Sequence, residues 1–60
     1  MMRNWMSINL NRKYSDDFRR FLREKSIRYE TSENGYLIHF EVLVSKDEEI
    51  ECNDFLDALA

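Results

Sequence analysis

The sequence has no proline, one glycine, one cysteine and one histidine, and each scarcity removes a class of protein. A single glycine, Gly35, cannot build a glycine-rich phosphate loop. A single cysteine, Cys52, leaves no internal disulfide, on which small secreted domains usually lean; a cytoplasmic setting is expected. A structural zinc site takes four ligands at recognisable spacings, and only His39 and Cys52 are on offer. The acidic run Asp47-Glu48-Glu49 lacks the ligand ladder and glycine of a calcium loop. Neither a metal nor a cofactor is therefore expected. No apolar run approaches the roughly 20 residues that span a bilayer, and Met1–Met6 contains no signal-peptide core.

What is present suffices for one small domain over residues 1–60. Hydrophobic residues make up 43% and aromatics 13%, which argues against disorder. A chain of this length buries only about 60% of the surface its unfolded form exposes. It has one thin core and no room for a deep substrate cavity. Cys52 reads as a small buried hydrophobe, since Glu51 and Asp54 beside it disfavour a thiolate.

Net charge is −3, but residues 1–28 carry +5 and residues 29–60 carry −8. Either the fold presents one basic and one acidic surface, or the halves interleave and neutralise each other.

Along the chain, Trp5–Leu10 alternates as a half-buried strand, with Met6, Ile8 and Leu10 on one side. Asn11–Tyr14 reads as a turn, and Ser15 as the N-cap of a helix over 15–25 with Phe18, Phe21 and Leu22 in its stripe. Asn34-Gly35 is the strongest turn signal and predicts a type I′ hairpin across 27–44. Centring the bend on that dipeptide places Glu33 opposite Tyr36, Thr31 opposite Ile38, Tyr29 opposite Phe40 and Ile27 opposite Val42. Arg28 then meets Glu41, and Glu30 meets His39. For the C-terminal stretch, a capping box at Ser45–Glu48 opening one long helix competes with a turn at 45–48, a strand at 49–52 and a helix from Asn53. The out-of-phase Ile50 favours the second reading.

These elements imply an α+β fold: a two-layer sandwich of three or four antiparallel strands covered on one face by two helices, in the order β-α-β-β-(β)-α. The covered face takes Met6, Ile8, Leu10, Ile27, Tyr29, Tyr36, Ile38, Phe40, Val42 and Val44. The other face carries Trp5, Leu37, His39, Glu41 and Leu43 among polar neighbours, a mixture that resembles an interface. His39 beside Glu30 would be a usable acid–base pair, but no nucleophile or oxyanion donors can be placed next to it.

The expected function is therefore binding without catalysis: regulation or inhibition of another protein by steric occlusion. The partner-binding set is Trp5, Leu37, His39, Glu41 and Leu43 on the sheet, with Glu48, Glu49 and Glu51 steering association. Such an acidic inhibitor or antitoxin would block a basic groove, as on a nucleic-acid-acting enzyme, and small chains of this style occur among phage and mobile-element regulators. A homodimer through the sheet face or edge is a further expectation. The competing reading is nucleic-acid binding through Arg12, Lys13, Arg19, Arg20 and Arg23. Against it stand the overall acidity and Asp16–Arg20 and Arg20–Glu24 spacings suited to ion pairs along the helix.

Overall fold

The computed structural model describes residues 2–59 and has the order β1(Asn4–Asn11), α1(Arg12–Glu24), β2(Arg28–Asn34), β3(Leu37–Val44), α2(Lys46–Leu59). The fold is α+β: a three-stranded antiparallel sheet, ordered β1-β3-β2, with both helices on one face. No fourth strand is present among the described residues.

β3 is the central strand, and its sequence says why. Leu37–Val44 is apolar at six of its eight positions, His39 and Glu41 being the polar pair on one side; the burial alternates strictly, with Ile38, Phe40, Val42 and Val44 buried. Phe18 and Leu22 from α1 and Cys52 from α2 close over them, each fully buried. The Phe18 ring meets Phe40 edge-on at 5.0 Å, and Phe55 of α2 stacks on Phe21 of α1 at 4.4 Å. Aromatic contacts thus join helix to helix and α1 to the sheet.

The strand β1 runs straight into α1 without the turn expected at Asn11–Tyr14. Asn11 is the cap: its side-chain oxygen accepts from the Lys13 N–H at 3.0 Å. Ser15, expected at the cap, lies inside the helix, buried, and its hydroxyl donates to the Arg12 carbonyl. Both residue types cap well; Asn11 prevails because the strand ladder holds it where the helix must begin. At the other end Ser26 takes a left-handed φ of 58°. The Ser26 and Ile27 N–H groups donate to the Arg23 and Leu22 carbonyls, closing the helix as a Schellman motif whose apolar contact is Ile27 with Leu22.

The hairpin bends one residue later than the Asn-Gly signal suggests. Asn34 pairs with Leu37, so Gly35 and Tyr36 form the loop. Gly35 has φ 66° and Tyr36 has no positive φ, a combination that suits glycine at the first loop position of a type II′ turn. The physical reason is tertiary: the Arg12 N–H takes the Tyr36 carbonyl and the Arg12 guanidinium takes the Gly35 carbonyl, each at 2.9 Å. The pairings shift by two, to Thr31–Phe40, Tyr29–Val42, Glu33–Ile38 and Ser32–His39. Arg28 therefore faces Leu43 and Glu30 faces Glu41, correcting both cross-strand charge pairs. Because strand side chains alternate with period two, an even shift leaves every residue on its expected face. Tyr36 is the exception, 73% exposed at the loop.

In the C-terminal stretch the capping box prevails over the strand at 49–52. The Ser45 N–H donates to a Glu48 carboxylate oxygen at 2.9 Å, and the Glu48 N–H donates to the Ser45 hydroxyl at 3.3 Å. Ile50 is 54% exposed, which is how one helix accommodates its misplaced phase. Bonds from Arg3 and from Ser45 hold the Glu48 carboxyl below its ordinary range. A carboxyl with a lowered folded pKa contributes stability above its unfolded value and loses it as pH falls through the folded one. Ser45→Ala is expected to cost about 1 kcal/mol in urea unfolding at pH 7. Glu48→Gln should flatten the loss of stability on the acid side of pH 4.5.

Candidate binding face

With both helices spent on one side, the other side of the sheet is open. Its residues form rows across β1, β3 and β2: Trp5–Leu43–Arg28, Ser7–Glu41–Glu30, Asn9–His39–Ser32 and Asn11–Leu37–Asn34. Trp5 is 49% exposed and Leu43 lies beside it, half-buried. Leu37 sits at the far end of β3, also half-buried. Two apolar ends therefore flank a polar middle.

That middle is a bonded network. The Ser7 hydroxyl donates to Glu41 Oε2 at 2.6 Å, and His39 Nε2 reaches the same oxygen at 2.5 Å. His39 Nδ1 lies 2.9 Å from Asn9 Oδ1. The Ser7 bond, followed by that of His39, holds the Glu41 carboxyl below its ordinary range. Glu41 thus keeps its charge although Glu30 lies opposite on β2. The partner of His39 is Glu41, two residues along its own strand, and not Glu30.

The arrangement has serine, histidine and a carboxylate, but in the wrong order for a nucleophile. In a triad the hydroxyl is bonded to the imidazole, which takes its proton, and the carboxylate orients the ring. Here the carboxylate lies between them, and the Ser7 hydroxyl is bonded to Glu41 and not to the imidazole. Among the described residues there is no enclosed cavity around the network and no cluster of potential metal ligands.

Of the expected partner-binding residues, the structure brings Trp5, Leu37, His39, Glu41 and Leu43 onto this one face. Glu48, Glu49 and Glu51 lie on α2, in the helical layer. Glu48 is engaged in the cap and with Arg3 at 3.1 Å, Glu51 pairs with Lys25 at 2.7 Å, and Glu49 is exposed. Ser7 and Asn9 are the members sequence reasoning left out. Their parity placed them on the open face, but only the pairing of β1 with β3 puts them beside Glu41 and His39.

The five basic residues differ in what holds them. Arg12 is paired with Glu33 at 2.9 Å and bonded to Gly35, and Arg20 pairs with Asp17 at 3.8 Å, one residue from the Asp16 partner expected. Arg19 is half-buried with its guanidinium 5.9 Å over the Phe40 ring, and its Nε is shielded with no hydrogen-bond partner among the described residues. Lys13 lies over the Tyr14 ring, and Arg23 is exposed at the last turn. The pairs Arg3–Glu48, Arg12–Glu33 and Lys25–Glu51 join the basic first half to the acidic second half, so the two interleave.

Burial and the nearby Glu48, Glu51 and Glu49 push the Cys52 thiol up to about 11, and the side chain is fully buried. It is a core residue. No helix among the described residues is long and apolar enough to cross a membrane. No protein-family model, no curated protein and no solved structure matches the chain.

Proposed function

We propose that this chain is a non-enzymatic binding protein that regulates or inhibits a partner protein by steric occlusion, with its open sheet face as the contact surface. The observation that carries the reading is the layout of that face: Trp5 and Leu43 side by side at one end, Leu37 at the other, and a rigidly bonded polar strip between. A solvated sheet face needs neither the exposed indole nor the ordered network. An interface uses both, the aromatic as an anchor and the pre-bonded polar groups as register. The exposed acids of α2, Asp47 and Glu49 among them, favour a partner with a basic surface and would speed encounter from outside the contact. A nucleic-acid-acting enzyme, whose groove must be basic, fits that description.

The test is capture from a nuclease-treated lysate by the immobilised chain, run beside Leu43→Asp. The expected result is a protein retained after nuclease and lost with the variant. Capture that disappears on nuclease treatment, or nucleic-acid binding that weakens steeply with salt and with Lys13→Glu plus Arg23→Glu, would replace this reading by the basic-helix one. Arg19 is avoided in that variant because it packs on Phe40.

A further inference from the structure

We infer that β1 is a pairing edge for a second copy of this chain, giving a six-stranded sheet continuous across a two-fold axis. This stands apart from the open-face reading, because it concerns the rim of the sheet.

The sheet has two rims, β1 and β2, and they differ. β2 carries Arg28, Glu30 and Glu33 in seven residues, the charged composition by which proteins protect an edge. β1 carries no charge and no proline over eight residues, and pairs with β3 at every position from Asn4 to Asn11 without a bulge. Charge, proline and a bulge, three of the usual edge protections, are all missing from this strand.

The direction of its backbone groups follows from one bond. The Arg12 N–H to Tyr36 carbonyl bond continues the β1–β3 ladder one step past Asn11–Leu37. Hydrogen-bonded and non-bonded pairs alternate in antiparallel sheets. Leu10, Ile8, Met6 and Asn4 therefore turn their backbone groups toward β3, and Trp5, Ser7 and Asn9 turn theirs outward. Among the described residues no other bond reaches those outward groups.

The occupant is a second copy because β1 suits its own inverted image. With Ile8 opposite Ile8, Met6 faces Leu10 on the covered side, while Ser7 faces Asn9 and Trp5 faces Asn11 on the open side. Met6, Ile8 and Leu10 are only half-buried, the uncovered fringe of the core. A second copy supplies an apolar fringe at the same spacing, together with a helical layer on the same side. The paired strands themselves carry no charge, and the acids of β2 lie on the opposite rim, which limits repulsion between two chains of net charge −3.

The experiment joins mass measurement by light scattering to amide hydrogen exchange on the unaltered chain. At roughly 100 μM, well above a micromolar dissociation constant, the expected mass is twice 7.4 kDa. The Trp5, Ser7 and Asn9 amides should exchange roughly tenfold or more slowly than the outward Thr31 and Glu33 amides of β2. Ser7→Pro, which removes an outward N–H and the hydroxyl bond to Glu41 but no backbone bond to β3, should return the mass to one chain, and Thr31→Pro should leave it doubled. A single-chain mass at that concentration overturns the proposal. So does a dimer whose β1 amides exchange as fast as those of β2, the signature of face-to-face association, or one abolished by Thr31→Pro but not Ser7→Pro. If Ser7→Pro does not fold, the exchange pattern of the unaltered chain decides alone.

Discussion

Phe40→Ala is expected to leave the chain largely unfolded at 25 °C, seen as loss of the cooperative transition in urea or on heating. Phe40 is fully buried at the centre of β3, the strand that lies between the other two. Its ring is gripped edge-on by Phe18 at 5.0 Å, tilted against Tyr29 at 6.1 Å and covered by Arg19. Removing such a ring costs about 3–5 kcal/mol, the lost transfer energy plus the cavity left behind. A domain of 60 residues has about 3–9 kcal/mol in total. The loss is therefore comparable with the whole stability. Leu43→Ala on the open face should cost clearly less, because that side chain already shares its surface with water. Equal losses at the two positions would mean that the open face is buried in solution.

The second large effect is on binding. Trp5→Ala should weaken capture of the partner by roughly 30-fold or more, the loss of at least about 2 kcal/mol that defines an interfacial anchor. The indole is half-exposed in the free chain, so the substitution removes contact area without opening the core. Leu43→Asp should act in the same direction with little effect on folding. The new carboxylate would lie opposite Arg28, an opposite-charge cross-strand pair. Melting curves and titrations read together separate the cases: both variants should melt near the unaltered chain and bind poorly. Undiminished affinity of both for the captured protein would remove the open face from the account.

The same residues explain how legible this molecule is. Alternation along β1 and β3 settles which side chains lie under the helices, because that assignment depends only on parity. An error of two in hairpin register leaves it intact, as Ile38, Phe40 and Val42 attest. The α1 stripe of Phe18 and Leu22 is equally local. Register and element ends were not readable in this way. Asn34-Gly35 offers two adjacent bends of similar cost, and the choice falls to Arg12, a residue far away in sequence whose main chain and side chain bind the loop carbonyls. Asn11 and Ser15 are both competent caps, and the strand ladder selects the first. The strand expected at 49–52 fails because Ser45 and Glu48 bond reciprocally while Cys52 drops into the core, and a helix tolerates one exposed isoleucine more cheaply than it forgoes that cap.

The candidate site divides along the same line. Period-two chemistry alone gathers Trp5, His39, Glu41 and Leu43 on one side of the sheet. Their neighbours Ser7 and Asn9, and the displacement of Glu48 and Glu51 into ion pairs on the helical side, depend on which strands become adjacent. Side-chain direction is a property of each residue's own backbone, whereas adjacency comes from closing the chain around a shared core. No local pattern carries that information.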